Sequence, residues 1–119
     1  MNNQPTVFIV DDDKEVREAI GMLMDSVGLP NESFDSAWAF LSCFDPTKPG
    51  CLVLDVRMRQ MSGLELQERL QEEPMHPPII IITGHGDVPM AVRAVKNGAT
   101  DFIEKPFNDQ ALLDAVHRA

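Results

Sequence analysis

Three runs of apolar residues, each stopping at a polar side chain, constrain the fold of this chain more than any other feature. The runs are Val7-Phe8-Ile9-Val10, Cys51-Leu52-Val53-Leu54 and Ile79-Ile80-Ile81-Ile82. Apolar runs without polar alternation are typical of β-strands that are buried on both faces. Such strands occur in parallel sheets that carry helices on each side. The chain is therefore predicted to be an α/β domain built around a parallel sheet.

Longer amphipathic segments between these runs predict the helices, and two weaker segments predict two further strands. The apolar residues at helical spacing are, in chain order, Val16, Ile20, Leu23, Met24 and Val27; Ala37, Phe40, Leu41 and Phe44; Leu64, Leu66 and Leu70; Met90, Val92 and Val95; and Leu112, Leu113 and Val116. The weaker strands are Glu32-Ser33-Phe34 and Phe102-Ile103, whose composition suits sheet edges. The expected architecture is a three-layer α/β sandwich of five βα units, with strand order 2-1-3-4-5.

Length and charge restrict the classes of function. A chain of 119 residues accommodates one compact domain, here predicted to span residues 1–119. Its formal net charge of −9 repels phosphate backbones and anionic lipid headgroups, so we expect neither nucleic acid nor membrane to bind this segment directly. No apolar stretch approaches the roughly 20 residues of a membrane span, and the N-terminal residues do not resemble a signal peptide. A cytoplasmic location is expected.

Polar residues follow the predicted strands at their carboxyl ends, where open α/β sheets bind their ligands. With strand order 2-1-3-4-5, the first and third strands are neighbours, and the order reverses between them. Both of these strands end in carboxylates, so the sequence predicts one acidic pocket at this point. The residues at the strand ends are Asp11, Asp12 and Asp13 after the first strand, Asp55 after the third, Thr83 after the fourth and Lys105 after the fifth.

The residue types at these ends indicate phosphoryl transfer. Neighbouring carboxylates repel one another unless a cation neutralises them, and oxygen ligands favour Mg²⁺, or Mn²⁺ as its substitute. Asp55 is the expected nucleophile, and it would form an aspartyl phosphate. Lys105 would balance the charge on the phosphoryl oxygens, and the Thr83 hydroxyl would donate a hydrogen bond to one of them. Asp13 is expected to cap the first helix rather than to bind the metal.

Five motifs in register resemble two-component response regulator receiver domains, and in particular the FixJ-like branch of that family. The motifs are Val10-Asp11-Asp12-Asp13, Leu54-Asp55-Val56-Arg57-Met58, Met61-Ser62-Gly63-Leu64, Thr83-Gly84-His85-Gly86-Asp87 and Lys105-Pro106-Phe107. The resemblance covers nearly the whole chain. It implies the flavodoxin-like, CheY-like form of the three-layer sandwich.

The resemblance also implies roles for individual residues. Asp55 would accept the phosphoryl group from a phosphohistidine of a sensor histidine kinase. Thr83 and Phe102 would form a switch pair, in which the Phe102 ring moves inward as Thr83 approaches the phosphoryl group. The bond before Pro106 is a candidate cis peptide. The implied Mg²⁺ ligands are Asp12, Asp55, the backbone carbonyl of Arg57 and, through water, Asp11.

The output implied by the resemblance is dimerisation and transcriptional control. The surface around Arg93, Val95, Lys96 and Asp101 would pair with a second copy after phosphorylation. A DNA-binding effector domain, expected to be a helix-turn-helix, would follow residue 119. Any contact with DNA would come from that domain.

The loop after Asp55 departs from the family pattern. Arg59-Gln60 stands where these receivers usually have a proline and a small residue, and losing the proline frees the backbone beside the phosphorylation site. Gly63 is expected to supply a positive φ in this region. Arg57 and His85 either shape access of the hydrolytic water or are exposed polar loop residues.

Three alternative functions remain open from the sequence. A phosphatase with an aspartate nucleophile would need a second aspartate at the position of Arg57. A flavin carrier would need a phosphate-binding loop after the first strand, where three aspartates stand instead. An inactive receiver-like interaction module is disfavoured because the full set of polar strand ends is retained.

Overall fold

The computed structural model describes residues 5–45, 47–56, 58, 61–73, 76–84, 88–105 and 107–119. Strands and helices alternate along the chain. The elements are β1 (Thr6–Val10), α1 (Lys14–Ser26), β2 (Asn31–Phe34), α2 (Ala37–Cys43), β3 (Gly50–Asp55), α3 (Gly63–Gln71), β4 (Ile79–Thr83), α4 (Val88–Lys96), β5 (Asp101–Glu104) and α5 (Asp109–Arg118).

The strands form a parallel sheet of order β2-β1-β3-β4-β5, so the predicted α/β topology is confirmed. β1 and β3 pair directly, with Val10 opposite Leu54, which aligns their carboxyl ends. The two strands with weaker sequence patterns, β2 and β5, lie at the edges, as their composition predicts.

Two hydrophobic layers cover the two faces of the sheet, because successive residues of a strand point to opposite faces. Ile79 and Ile81 of β4 pack in the layer formed with α2, α3 and α4, whereas Ile80 and Ile82 pack against α1 and α5. The apolar run of β4 is thus divided residue by residue between the two layers. This division explains why the sequence shows no polar alternation in the central strands.

Several helices begin at a residue whose side chain caps the first turn. The Asp13 carboxylate accepts the Glu15 N–H at 2.9 Å, as predicted for a cap of α1. Ser36 and Asn108 cap α2 and α5 in the same manner. Ser62 forms a capping box with Glu65 at the start of α3. Asp87, which precedes α4 and has a side chain of the type that caps helices, lies outside the described residues.

Some of the apolar residues at helical spacing on α1 and α4 are exposed rather than buried. Val27 is the C-cap of α1 and is 46% exposed, since the helix ends there before Gly28 reverses the chain with a φ of 75°. On α4, Val92 and Val95 are about two-fifths exposed, whereas Ala91 and Ala94 are buried. Alanine has no bulk beyond Cβ, so it allows α4 to lie close to the sheet.

No helix in the part of the chain that the structure describes has both the length and the apolar character needed to cross a bilayer. This agrees with the absence of a long apolar stretch in the sequence.

Candidate functional site

An acidic cluster lies at the carboxyl ends of the two adjacent strands β1 and β3. Asp55 is the last residue of β3, and Asp11 follows the last residue of β1 directly. One carboxylate oxygen from each of Asp11, Asp12 and Asp55 lies within 4.8 Å of the others. The predicted pocket is therefore formed, and it stands at the point where the strand order reverses. Asp13 does not belong to this cluster, since its carboxylate caps α1.

Asp11 is the most buried member of the acidic cluster, with 2% of the residue exposed. Its Oδ1 accepts the Asp13 N–H at 2.9 Å, and its Oδ2 lies 3.3 Å from Lys105 Nζ. Burial raises the pKa of the Asp11 carboxyl, while the Asp13 N–H and the Lys105 ammonium lower it by smaller amounts. Oδ2 has no well-directed hydrogen bond among the described residues. This oxygen can therefore accept a further ligand.

Lys105 connects the acidic cluster to the fourth and fifth strands. Its Nζ lies 3.3 Å from Asp11 Oδ2 and 3.7 Å from Asp55 Oδ1, and its side chain is 27% exposed. Its backbone N–H donates to the Thr83 carbonyl at 2.7 Å, which fixes the chain immediately after β5. The prediction that residues following different strands meet is thus correct for Asp11, Asp12, Asp55 and Lys105.

Arg17 supports the loop that carries the acidic cluster, and sequence reasoning missed it. Its Nη1 donates to the Asp11 carbonyl at 2.8 Å. The Asp11 N–H in turn donates to the Phe34 carbonyl of β2 at 3.2 Å. The peptide groups on both sides of Asp11 are therefore held in place. The only available signal was a basic side chain on the first turns of α1, which is common on exposed helices and does not identify a partner.

Thr83 and Phe102, the predicted switch pair, lie on adjacent strands. Thr83 is the last residue of β4 and is 2% exposed. Phe102 pairs with Ile81 of β4, and 41% of the residue is exposed. The Thr83 position is at the correct edge of the sheet for the acidic cluster, and the Phe102 ring is oriented at least partly toward solvent.

Gly63 lies against the backbone of Asp55, and the expectation of a positive φ is wrong. Positive φ values among the described glycines occur at Gly28, Gly50 and Gly98. A Cβ at Gly63 would stand 2.2 Å from the Asp55 carbonyl oxygen and 2.8 Å from Val56 Cα. Glycine is required here for close approach of two backbone segments, since no side chain fits between them.

Several predicted site residues lie outside the described residues. They are Arg57 and His85, proposed to affect the hydrolytic water, Arg59 and Gln60 of the departing loop segment, and Pro106 of the candidate cis bond.

The predicted dimer face lies on α4 and β5 and is mostly exposed. Arg93 pairs with Glu68 of α3 at 3.6 Å, and Asp101 pairs with Arg118 of α5. Val95 is 41% exposed, and Lys96 is also exposed. These residues share a continuous region of the fold, although two of them already have partners within the chain.

The donor set of the acidic cluster fits a hard divalent cation. All candidate donors are carboxylate oxygens, which is the ligand type that Mg²⁺ prefers and Mn²⁺ also accepts. The buried Asp11 Oδ2, which accepts no well-directed hydrogen bond among the described residues, is an oxygen that fits the same type of cation. Asp11, Asp12 and Asp55 are therefore the residues that would hold the ion.

The fold and the pocket together define a doubly wound α/β domain with carboxylates and a lysine at its switch point. Comparison with known proteins is consistent with this class. Residues 7–117 match the response regulator receiver domain family. The response regulator protein TmoT of Ectopseudomonas mendocina is 52% identical over 120 residues, covering 100% of this chain and 54% of that protein. The transcriptional regulatory protein FixJ of Azorhizobium caulinodans is 50% identical over 110 residues, covering 92% of this chain and 52% of FixJ.

Solved structures agree with these relatives. The response regulator StyR superposes with a TM-score of 0.90 at 54% identity, covering 97% of this chain and 58% of StyR. The crystal structure of FixJ-N superposes with a TM-score of 0.91 at 46% identity, covering 99% of this chain and 94% of that structure. This chain belongs to the response regulator receiver domain family, and its place in the FixJ-like branch is confirmed. It spans about half the length of the curated relatives that it matches.

Proposed function

We propose that this domain receives a phosphoryl group on Asp55 from a phosphohistidine of a sensor histidine kinase, with Mg²⁺ bound in the acidic cluster. The observation that carries the proposal is the convergence of three carboxylates and the Lys105 ammonium at the ends of separate strands. This combination supplies a nucleophile, a cation site and a fixed positive charge in one pocket.

The transfer begins with attack of an Asp55 carboxylate oxygen on the phosphorus atom. An O–P bond forms as the N–P bond to the donor imidazole breaks, and the imidazole keeps the electron pair of that bond. Asp12, Asp55, the Arg57 carbonyl and, through water, Asp11 would hold the metal ion. Bound Mg²⁺ would supply positive charge against the phosphoryl oxygens.

Lys105 and Thr83 would bind the phosphoryl oxygens after transfer. Lys105 Nζ, which pairs with Asp11 and Asp55 before the transfer, would turn to the new dianionic group, whose charge attracts it more strongly. The Thr83 hydroxyl would donate to a phosphoryl oxygen, and the exposed Phe102 ring would then move inward. Hydrolysis of the aspartyl phosphate resets the domain, so self-catalysed transfer and slow hydrolysis are its proposed chemistry.

The proposed output is a change of surface on α4 and β5. Arg93, Val95, Lys96 and Asp101 would contact a second copy, and the resulting dimer would bring together two effector domains located after residue 119. The relatives named as transcriptional regulatory proteins support a DNA-binding role for such a domain. The receiver domain itself, with a net charge of −9, would not contact DNA. A cytoplasmic location is part of this proposal.

The test uses the purified chain with Mg²⁺ and acetyl phosphate. We expect intact-mass analysis to show addition of one phosphoryl group in the wild type, and sedimentation to show dimer formation with beryllofluoride and Mg²⁺. Asp55→Asn should abolish both effects, whereas Asp35→Asn, which changes an exposed carboxyl, should leave them intact.

Two results would reject the proposal. The first is phosphorylation of Asp55→Asn to the same extent as the wild type. The second is multiple turnover of small phosphomonoesters, which would indicate a phosphatase with an aspartate nucleophile instead.

A further inference from the structure

A buried glutamine connects α3 to α4 and has no role in the site described above. Gln67 is 0% exposed, and its Nε2 donates to the Ala94 carbonyl at 2.8 Å. Ala94 lies in α4 near its C-terminal end and is also fully buried. This hydrogen bond therefore joins the helix that follows the Asp55 strand to the helix that follows the Thr83 strand.

The Ala94 carbonyl does not require this hydrogen bond for its own satisfaction. It also accepts the Ala99 N–H at 3.0 Å, where the chain turns from α4 toward β5 through Gly98. Gln67 thus adds a second donor to a carbonyl that already has one. The hydrogen bond acts between the two helices rather than completing the end of α4.

Burying the Gln67 side chain also lowers the folding stability in a way that burying an apolar residue would not. Its Oε1 is buried and has no hydrogen-bond partner among the described residues. An unsatisfied buried acceptor destabilises a fold, and replacing both the polar group and its contact by an apolar side chain of similar shape is often neutral or stabilising. Methionine has about the length of glutamine. Global stability alone therefore does not explain a glutamine at this position.

Other contacts place the C-terminal half of α4 against the same face of α3. Gln71 lies one turn after Gln67 and packs against Gly98. A Cβ added at Gly98 would stand 2.5 Å from Gln71 Nε2. Arg93 of α4 pairs with Glu68 of α3 at 3.6 Å, but both side chains are more than half exposed. An exposed pair of this kind contributes little. Gln67 provides the buried, directional contact between the two helices.

We propose that Gln67 is a positioning residue, which holds the C-terminal end of α4 against α3 and so sets how readily α4 shifts when Asp55 is phosphorylated. The effect on the response rests on the function proposed above, whereas the effect on the position of α4 does not. The hydrogen bond to Ala94 is made in the structure in which the Phe102 ring is exposed. In the proposed switch it breaks as α4 shifts, so removing it should favour the phosphorylated arrangement.

The test compares Gln67→Met with the wild type by amide hydrogen exchange and by thermal unfolding. We expect exchange at residues 92–99 to become about two- to tenfold faster, which corresponds to the loss of one buried hydrogen bond. The melting temperature should be unchanged or higher, since the unsatisfied Oε1 is also removed. Gln67→Leu, a second apolar variant, should behave in the same way.

The matched control is Gln110→Met, which makes the same chemical change on α5, where the exposed Gln110 amide donates to Asp114 of its own helix at 2.8 Å. It should leave exchange at residues 92–99 unchanged. Unchanged exchange in both Gln67 variants would overturn the proposal. So would a uniform acceleration throughout the sheet, since that result would indicate a purely structural role.

A titration with beryllofluoride and Mg²⁺, followed by sedimentation, tests the link to the response. Gln67→Met should reach half-conversion at an about two- to tenfold lower beryllofluoride concentration than the wild type. An unshifted midpoint would overturn this link. Absence of any response in the wild type would reject the proposed phosphorylation function, and the exchange data would then decide on the α3–α4 contact alone.

Discussion

At Asp11, burial and charge act in opposite directions on stability. The carboxyl is nearly inaccessible, and it is held by the Asp13 N–H, the Lys105 ammonium and, through its backbone carbonyl, the Arg17 guanidinium. The pKa of Asp11 is nevertheless raised by burial, so these contacts do not fully offset the lost hydration of its carboxylate. The charged form of Asp11 is thus a source of instability when no cation is bound, as is common for groups placed for function.

We predict that Asp11→Asn stabilises the metal-free protein by about 0.5–2 kcal/mol at neutral pH. Because the folded-state pKa is raised, the wild type gains stability from protonation of Asp11 at low pH and loses it as the pH rises through the folded-state value. The advantage of Asp11→Asn should therefore grow as the pH rises from the ordinary aspartate range to neutrality. Urea unfolding in EDTA at a series of pH values measures this difference.

The exposed carboxyl of Asp35 provides the control for this prediction. Asp35→Asn should change the free energy of unfolding by only a few tenths of a kcal/mol. Addition of Mg²⁺ should raise the melting temperature of the wild type and of Asp35→Asn, but much less that of Asp11→Asn. An Asp11→Asn variant that is less stable than the wild type at neutral pH would contradict the interpretation.

The location of some residues in the fold could be predicted from the sequence, and that of others could not. Asp11 and Asp55 were predictable because a polar residue directly after an apolar run marks the end of a strand, and Lys105 because it follows the short fifth strand after Glu104. The ends of these strands meet at one edge of the sheet. Gln67 was not predictable. A single glutamine in an amphipathic helix has the same local pattern whether it faces solvent or a neighbouring helix, and only the position of α4 decides between the two.

At the scale of elements, the start of α3 determines the geometry beside Asp55. Ser62 and Glu65 form a capping box, and the Gly63 N–H donates to the Val56 carbonyl at 3.0 Å. The first turn of α3 is therefore fixed against the end of β3. The sequence pattern indicated that a glycine is needed at position 63, but the positive φ expected there is wrong. The actual requirement is the close approach of two backbone segments, which is a tertiary contact without a local sequence pattern.

We predict that Gly63→Ala destabilises the fold by about 1–3 kcal/mol, since its Cβ would overlap the Asp55 carbonyl oxygen. Gly21 in the middle of α1 is the matched control: a Cβ there would approach only Asn31 Oδ1, at 3.4 Å. Gly21→Ala should instead stabilise the protein by about 0.5–1 kcal/mol through the higher helix propensity of alanine. Chemical denaturation measures both values. Equal effects at the two positions would show that the predicted overlap at Gly63 relaxes freely.

At the scale of the whole molecule, one sheet is shared by two hydrophobic layers. Neighbouring residues of β4 belong to opposite layers, so neither layer can lose the strand without disturbing the other. The apolar runs were sufficient to predict this arrangement, because only a strand covered on both faces excludes polar residues at every position. Which helix covers which face follows from chain connectivity and strand order together, and the sequence pattern alone contains no direct signal for it.

The shared sheet predicts that the two layers unfold together. Ile80 and Ile81 are both fully buried and face opposite layers, so Ile80→Val and Ile81→Val remove the same methyl group on either side of one strand. Each variant should lose about 0.5–1.5 kcal/mol. The tryptophan fluorescence of Trp38, which lies on α2 with the Arg69 guanidinium 5.0 Å from its ring centroid, reports on one layer. Far-UV circular dichroism reports on all helices.

In urea titrations, we expect the midpoints from Trp38 fluorescence and from circular dichroism to coincide in each variant. The substitution on the far face, Ile80→Val, should shift the fluorescence midpoint as much as the circular dichroism midpoint, because loss of the sheet exposes both layers at once. A fluorescence midpoint that responds to Ile81→Val but not to Ile80→Val would show that the layers unfold separately. Coincident midpoints would mean that the sheet and both hydrophobic layers unfold as one cooperative unit.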